Sequence, residues 1–205
     1  MKERMKEMRV SMLPKPQLIL DIGGVLITNL SPMFWQQIAA ISGVSAHTVT
    51  ERFKLEIKQA LWTGVIRVDD FWDWLHTEFS IDHIAAQQLL RTNLSPLPAM
   101  RHLEAWSLTA DIHLLSNHRI EWVMPLIEPV SSFISSITIS SQSGTTKPNL
   151  AIFQEVQAHL QNNNVLFVDD QEKNMNQATA LGWRTLLADS QGAWIAQVED
   201  YLACR

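Results

Sequence analysis

The stretch QLILDIGGV, residues 17–25, decides the fold, because it is a short apolar run that ends in a carboxylate and two glycines. Such a run predicts a strand buried on both faces that leads into a tight turn. Three later stretches have the same character, at 111–116, 136–140 and 165–169, and a weaker one lies at 185–188. The chain therefore repeats one kind of buried strand.

Helical patterns follow or separate these strands, at 119–127, 150–160, 174–181 and 192–201. Strands that alternate with helices are typical of parallel pairing with helices on both faces of the sheet. The sequence therefore predicts an α/β fold, a doubly wound (Rossmann-like) parallel sheet.

The stretch between the first and second predicted strands has helical patterns only, with breaks at Ser42-Gly43, Thr63-Gly64 and Pro96-Leu97-Pro98. It predicts a small α-helical cap domain at 30–105, inserted into a core made of 16–29 and 106–205. Residues 1–15 are predicted to be a flexible tail. The insertion contains four of the eight tryptophans, which we expect to pack between helices in a small core of its own.

Composition excludes several classes of protein. Hydrophobic residues make up 46% of the chain, which is too much for a disordered protein. The net charge is −5, and without the basic residues 1–15 it is −8, so the body of the protein repels a phosphate backbone and no nucleic-acid partner is expected. The tryptophan-rich insertion fits an internal core or an interface, so the expected state is a monomer or a homodimer.

Cysteine usage and the first residues bear on location. Cys204 is the only cysteine, so no intramolecular disulfide can form, and a reducing, cytoplasmic setting is the default expectation. The start, residues 1–8, is charged throughout, unlike a secretory signal. Residues 22–50 lack charged side chains, but polar residues interrupt them too often for a membrane span, so no membrane association is expected.

Chemically active side chains follow the predicted strands. They are Asp21, Ser116-Asn117, Asp169-Asp170 and, in a loop before a helix, Lys147. Each residue alone is weak evidence for a site, because an aspartate at a strand end is commonly a turn residue or a helix cap. Because ligands bind at the carboxyl ends of parallel strands, the group together predicts a site for a divalent cation and a phosphoryl group.

Four motifs in this order resemble those of the haloacid dehalogenase-like (HAD) hydrolase superfamily. They are DIGGVL at 21–26, Ser116-Asn117, Lys147-Pro148, and VDDQEKN at 168–174. The resemblance extends from residue 16 to near the end and includes the position of the insertion. The FWDWL segment at 71–75, after Gly64, resembles the cap of the superfamily's sugar-phosphate phosphatases.

The resemblance implies a role for each motif residue. Asp21 would be the nucleophile, and Mg²⁺ would bind Asp21, the Gly23 carbonyl and one of Asp169 and Asp170, with Asp170 preferred. The other implied roles are charge balance and phosphate binding by Lys147, phosphate binding by Ser116 and the backbone around Asn117, and support of the acidic loop by Asn174. The implied activity is Mg²⁺-dependent hydrolysis of a small phosphorylated metabolite, such as a sugar phosphate, through an aspartyl-phosphate.

Gly23 departs from the family pattern, which usually has a second aspartate there as general acid and base. Loss of that group costs ~10²–10⁴ in rate. Three explanations stay open: a good leaving group, a proton from a cap residue or water, or a protein that binds phosphate without catalysis. His118 and Arg119 are candidates to donate a proton or to contact the substrate.

A 2-haloacid dehalogenase is the remaining alternative, because that branch also lacks the second aspartate. The resemblance implies that a dehalogenase of this superfamily needs no metal-binding acidic pair. The pair Asp169-Asp170 therefore favours phosphate chemistry.

Overall fold

The computed structural model describes residues 14–203, so Cys204 and all but the last two residues of the predicted tail lie outside the described residues. Five strands form one parallel sheet in the order β3-β2-β1-β4-β5. The strands are β1 (Gln17–Leu20), β2 (Asp111–Ser116), β3 (Ser136–Ile139), β4 (Val165–Asp169) and β5 (Arg184–Leu187).

The first strand lies at the centre of the sheet. Leu20, its last residue, pairs with Leu114 of β2 on one side and with Val168 of β4 on the other. The strand order therefore reverses beside β1, which is where doubly wound sheets bind ligands. All four residues of β1 are buried, as its unbroken apolar run predicts.

Eleven α-helices accompany the sheet among the described residues. Five lie between β1 and β2: α1 (Met33–Ser42), α2 (Ala46–Glu56), α3 (Lys58–Trp62), α4 (Val68–Phe79) and α5 (His83–Asn93). The others are α6 (Leu103–Ser107), α7 (Ile120–Ile127), α8 (Ser140–Ser143), α9 (Leu150–Gln157), α10 (Glu172–Ala180) and α11 (Ala193–Ala203). Two 3₁₀ helices, Pro98–His102 and Glu128–Phe133, precede α6 and β3.

Helices cover both faces of the sheet. A small apolar cluster, which includes Phe153 of α9 and Phe167 of β4, fills one face. The larger cluster joins the other face to the inserted helices. Phe71 of α4 contacts Trp122 of α7, with ring centroids 5.4 Å apart. The aromatic residues of the insertion pack against one another as expected, but their cluster is continuous with the core of the rest of the protein.

The prediction of a doubly wound parallel sheet with an inserted helical cap is confirmed. Its boundaries at 30–105 stay a prediction, although α1 to α5 fall inside them. No helix within residues 14–203 is both long and apolar enough to cross a membrane.

Candidate active site

Three carboxylates meet at the carboxyl edge of the sheet. Asp21 follows β1, Asp169 ends β4, and Asp170 comes next. One oxygen from each lies within 4.8 Å of the others. Oxygen ligands this close together are what Mg²⁺ and Ca²⁺ prefer in proteins. The structure thus brings together the acidic residues that the sequence singled out.

Asp21 is held by three neighbours. Its Oδ1 accepts a hydrogen bond from the Ile22 amide at 2.6 Å, and its Oδ2 lies 3.0 Å from Lys147 Nζ. Burial raises the pKa of Asp21 to about 7; Lys147 and a hydrogen bond from Ser116 counteract this rise, while the charge of Asp169 adds to it. Any further cation beside Asp21 would favour its ionised form.

Lys147 lies between two carboxylates. Its ammonium contacts Asp21 Oδ2 and Asp169 Oδ2 and donates to the Leu115 carbonyl at 2.8 Å. Burial lowers the pKa of Lys147, but the two negative charges outweigh it, and the pKa is raised. All three N–H donors are therefore in use. The predicted role in charge balance fits this arrangement, whereas a direct hydrogen bond to phosphate does not.

The two adjacent aspartates have different surroundings. Asp169 accepts hydrogen bonds from Asn174 Nδ2, from the Gln171 amide and from Lys147. Asp170 Oδ2 accepts one from Asn29 at 2.8 Å, while its Oδ1 is buried and has no partner among the described residues. A buried carboxylate oxygen without a partner is costly. Asp170 thus has an oxygen available for a cation, and Asp169 is supported by Asn174.

The two glycines leave room for this arrangement. Gly24 has φ +75°, and a Cβ there would lie 2.3 Å from Asp170 Oδ2. A Cβ on Gly23 would lie 2.9 Å from Asn29 Oδ1. The side chain of Asn29 therefore occupies the space next to Gly23 and also binds Asp170. The sequence analysis missed Asn29, because nothing in its local pattern indicates this contact.

Ser116 and Asn117 end β2 at the same edge. Ser116 is buried and lines the cavity described below. The Asn117 amide group bonds the backbone of Lys147 twice, donating to its carbonyl at 2.9 Å and accepting from its N–H at 2.7 Å. The Asn117 side chain therefore fixes the lysine loop. The predicted contact between phosphate and the backbone around Asn117 stays a prediction.

His118 does not fit the role of proton donor. Its Nδ1 accepts a hydrogen bond from the Arg119 amide at 3.0 Å, and its ring packs against Trp62 and Trp122. Burial lowers the pKa of His118 to about 4. The ring is therefore neutral near pH 7. His118 lines the cavity, so its other ring nitrogen can still face a substrate, and the predicted contact stays a prediction.

Arg119 connects the insertion to the core. Its guanidinium donates to the carbonyls of Leu61 at 3.1 Å and Ile66 at 3.0 Å, and it forms an ion pair with Glu121. Arg119 is buried, and these contacts occupy its side chain. It fixes the inserted helices over the sheet, and the predicted contact with substrate is not supported.

We expect acid to destabilise the protein through His118. Between pH 6.5 and about 4 the unfolded chain binds a proton that the folded chain excludes, so stability falls as pH falls. The expected loss is about 1.4 kcal/mol per pH unit at most. Urea unfolding at pH 7, 6 and 5 should give a weaker pH dependence for His118→Phe than for the unsubstituted protein or for the exposed control His47→Phe. Equal pH dependence in all three would contradict the assignment.

A cavity of about 450 Å³ opens above the carboxylates. Several lining residues are ones that the sequence analysis missed: Asn29, Lys58, Gln59, Trp62 and Lys173. Three of these are on or next to α3, so the insertion forms one wall of the cavity. Asp169 and Asn174 lie behind the lining.

One sequence signal could have identified that wall. Gly64, which follows α3, has φ +74°, and a Cβ there would lie 2.1 Å from the Ser141 carbonyl oxygen. No other residue fits this close approach of insertion and core. The Thr63-Gly64 break therefore marks the point where the end of α3 is held against the core.

The sequence matches no family model and no curated protein. Among solved structures, a predicted HAD-like family hydrolase from Porphyromonas gingivalis superposes with TM-score 0.79 at 23% identity, over 94% of this chain and all of that one. A HAD family enzyme from Bacteroides thetaiotaomicron, solved with magnesium and inorganic phosphate, gives TM-score 0.77 at 22% identity, over 89% of this chain and 98% of that one.

An L-2-haloacid dehalogenase is also similar, with TM-score 0.60 at 16% identity over 84% of this chain and 83% of that one. The chain therefore has the fold of the HAD-like hydrolases, and the prediction from the four motifs is confirmed at the level of the fold.

Proposed function

We propose that this protein is a Mg²⁺-dependent phosphatase that hydrolyses a small phosphorylated metabolite through an aspartyl-phosphate on Asp21. One observation carries the proposal: Asp170 Oδ1, buried and without a hydrogen-bond partner among residues 14–203, belongs to a cluster of three carboxylates that includes the candidate nucleophile Asp21. The Bacteroides structure with magnesium and phosphate supports it by analogy of fold.

Asp21, Asp170 and the Gly23 carbonyl are the groups that would hold Mg²⁺. Their oxygens suit a hard cation, and Asp170 Oδ1 has no competing hydrogen bond within residues 14–203. Bound Mg²⁺ would neutralise negative charge on the phosphoryl oxygens. Asp169 would stay with Lys147 and Asn174.

In the proposed reaction, a carboxylate oxygen of Asp21 attacks phosphorus and the ester P–O bond breaks. The leaving oxygen takes up a proton. Water then attacks the phosphorus of the aspartyl-phosphate, which releases inorganic phosphate and restores the carboxylate. Lys147 would keep Asp21 ionised and oriented, and the Ser116 hydroxyl would donate to a phosphoryl oxygen.

Among the described residues, no side chain at the floor of the cavity is placed to give the leaving group its proton. Gly23 has no side chain, and the neutral His118 does not fit the task. A water molecule or a leaving group that needs no proton would then have to serve, at a cost of ~10²–10⁴ in rate if neither is effective. The second candidate function follows from Gly23: a member of the fold that binds phosphate without turnover.

A screen of phosphate monoesters separates these two functions. The proposal predicts phosphate release with added Mg²⁺ and none with EDTA. Magnesium and phosphate binding without release from any ester would instead favour the non-catalytic function. Activity on a 2-haloacid without metal would support a dehalogenase, which the available Asp170 oxygen disfavours.

Asn29→Ala should weaken Mg²⁺ binding about 10-fold, because a carboxylate that has lost its supporting hydrogen bond is less well oriented toward the ion. Isothermal calorimetry measures this affinity directly. Asn163→Ala changes the same residue type at an exposed position before β4 and serves as the control. Equal affinities in both variants would mean that Asn29 does not orient Asp170.

A further inference from the structure

Two lysines that line the cavity have no acidic partner among residues 14–203. Lys58 is the first residue of α3 in the insertion, and Lys173 lies in the first turn of α10 in the core. Neither forms an ion pair or donates a side-chain hydrogen bond to any residue in the described range 14–203. Lys54, one helical turn before Lys58, by contrast forms an ion pair with Glu51 at 2.8 Å.

The two lysines line the same cavity, one from the insertion and one from the core. Both side chains are exposed at the mouth of the cavity. Partial burial lowers the pKa of Lys58, and the charges of Lys173 and, to a smaller extent, Lys54 lower it further, so Lys58 and Lys173 repel each other. Like charges that form no ion pair of their own repel each other, and an anion between them removes the repulsion. The cavity that they line also contains Asp21 and Asp170.

The reacting phosphoryl group does not account for these charges. In the proposed function, that group lies against Asp21, Ser116 and the cation, at the floor of the cavity. Lys147, the cation of the floor, already uses its three donors within the protein. Lys58 and Lys173 therefore leave two positive charges for a different part of the ligand.

We propose that Lys58 and Lys173 form a subsite for a second anionic group of the substrate. The substrate class is then a small phosphate monoester that carries another phosphate or a carboxylate, which fits a cavity of about 450 Å³. This proposal rests on the proposed function and specifies its substrate. It also explains why the subsite has one lysine from each wall: the second anion bridges insertion and core when it binds.

The test compares matched phosphate esters that differ in the second anion. Glycerol 3-phosphate is set against 3-phosphoglycerate for the carboxylate, and fructose 6-phosphate against fructose 1,6-bisphosphate for the phosphate. The readout is the ratio of kcat/KM for the doubly anionic ester to that of its partner. We expect this ratio to fall about 10-fold in Lys58→Gln and in Lys173→Gln, which corresponds to the loss of one charge-assisted contact. Lys54→Gln, the matched control, should leave the ratio unchanged.

Binding gives a second readout that does not depend on turnover. Calorimetry with Mg²⁺-loaded Asp21→Asn protein measures Kd for the same four ligands, with and without the lysine substitutions. Absent turnover would overturn the proposed function alone. Ratios of kcat/KM and of Kd that do not change on substitution of either lysine would overturn the subsite. If the ratio falls for only one of the two ester pairs, that pair shows whether the second anion is a phosphate or a carboxylate.

Discussion

Asp21→Asn should lower the rate of phosphate release by at least ~10³-fold, because the amide cannot attack phosphorus and no aspartyl-phosphate can form. The substituted side chain has nearly the same shape, and its oxygen can still accept the hydrogen bond of the Ile22 amide. The loss should therefore appear in kcat at saturating substrate and Mg²⁺, measured as released phosphate.

The same substitution should not unfold the protein. Burial and the neighbouring carboxylates raise the pKa of Asp21 from 3.8 to about 7, so the cost of its negative charge to stability accumulates between these two pH values and is fully present above pH 7. Thermal unfolding at pH 8 without metal should show Asp21→Asn at least as stable as the unsubstituted protein. Asp73→Asn, at an exposed aspartate of α4, is the matched control and should keep full activity. Retained turnover in Asp21→Asn would contradict the assignment of Asp21 as the nucleophile.

Lys147→Met is expected to have the second large effect, on both stability and activity. The side chain is 1% exposed, and its removal leaves Asp21 and Asp169 without their shared counter-charge. Breaking a buried pair in this way costs about 3–5 kcal/mol. Urea unfolding should show that loss, and phosphate release should fall ~10²-fold or more.

A double substitution tests the cause of the instability. In Lys147→Met with Asp169→Asn, one of the two unpaired charges is gone, so at least about 1 kcal/mol of stability should return while activity does not. Lys54→Met removes a surface lysine paired with Glu51 and should change stability by less than about 1 kcal/mol. If Lys147→Met proved as stable as this control, the buried charge network would not hold the site together.

The sheet could be predicted because its strands are buried on both faces. A run such as residues 17–20 has no polar face, so neither its burial nor its strand character depends on details of packing. The bounds of helices were less well determined: α10 begins at Glu172, two residues before the predicted start, and a polar first turn carries no periodic signal.

The floor of the site could also be predicted in outline. The carboxyl ends of parallel strands meet at one edge, so Asp21, Ser116 and Asp169 had to lie near one another. Asn29 and Lys58 could not be found in this way, because the loop after β1 and the insertion reach the site through tertiary packing. Lys173 lies in the first turn of α10, three residues after Asp170, and its side chain belongs to a polar stretch that gives no sign of facing the cavity. The burial of His118 depends on Trp122, four residues further along the chain, and on Trp62 of the insertion, whose contact is not visible in the local sequence.

The insertion was the least predictable part. Its aromatic residues have helical spacing, and this spacing is the same for a separate core and for a shared one. Phe71 and Trp72 contact Trp122 of α7, and the buried Arg119 bonds carbonyls of the insertion. Whether the insertion's core is separate from or continuous with the rest of the protein thus depends on contacts between residues far apart in the sequence.

The central claim is that Asp21 carries the phosphoryl group during turnover. Protein mixed with substrate and Mg²⁺, quenched in acid before steady state and digested, can be examined by mass spectrometry. The account predicts one phosphoryl group on the peptide that contains Asp21 and none in Asp21→Asn. Substrate turnover with that peptide unmodified and the phosphoryl group on another residue would contradict it.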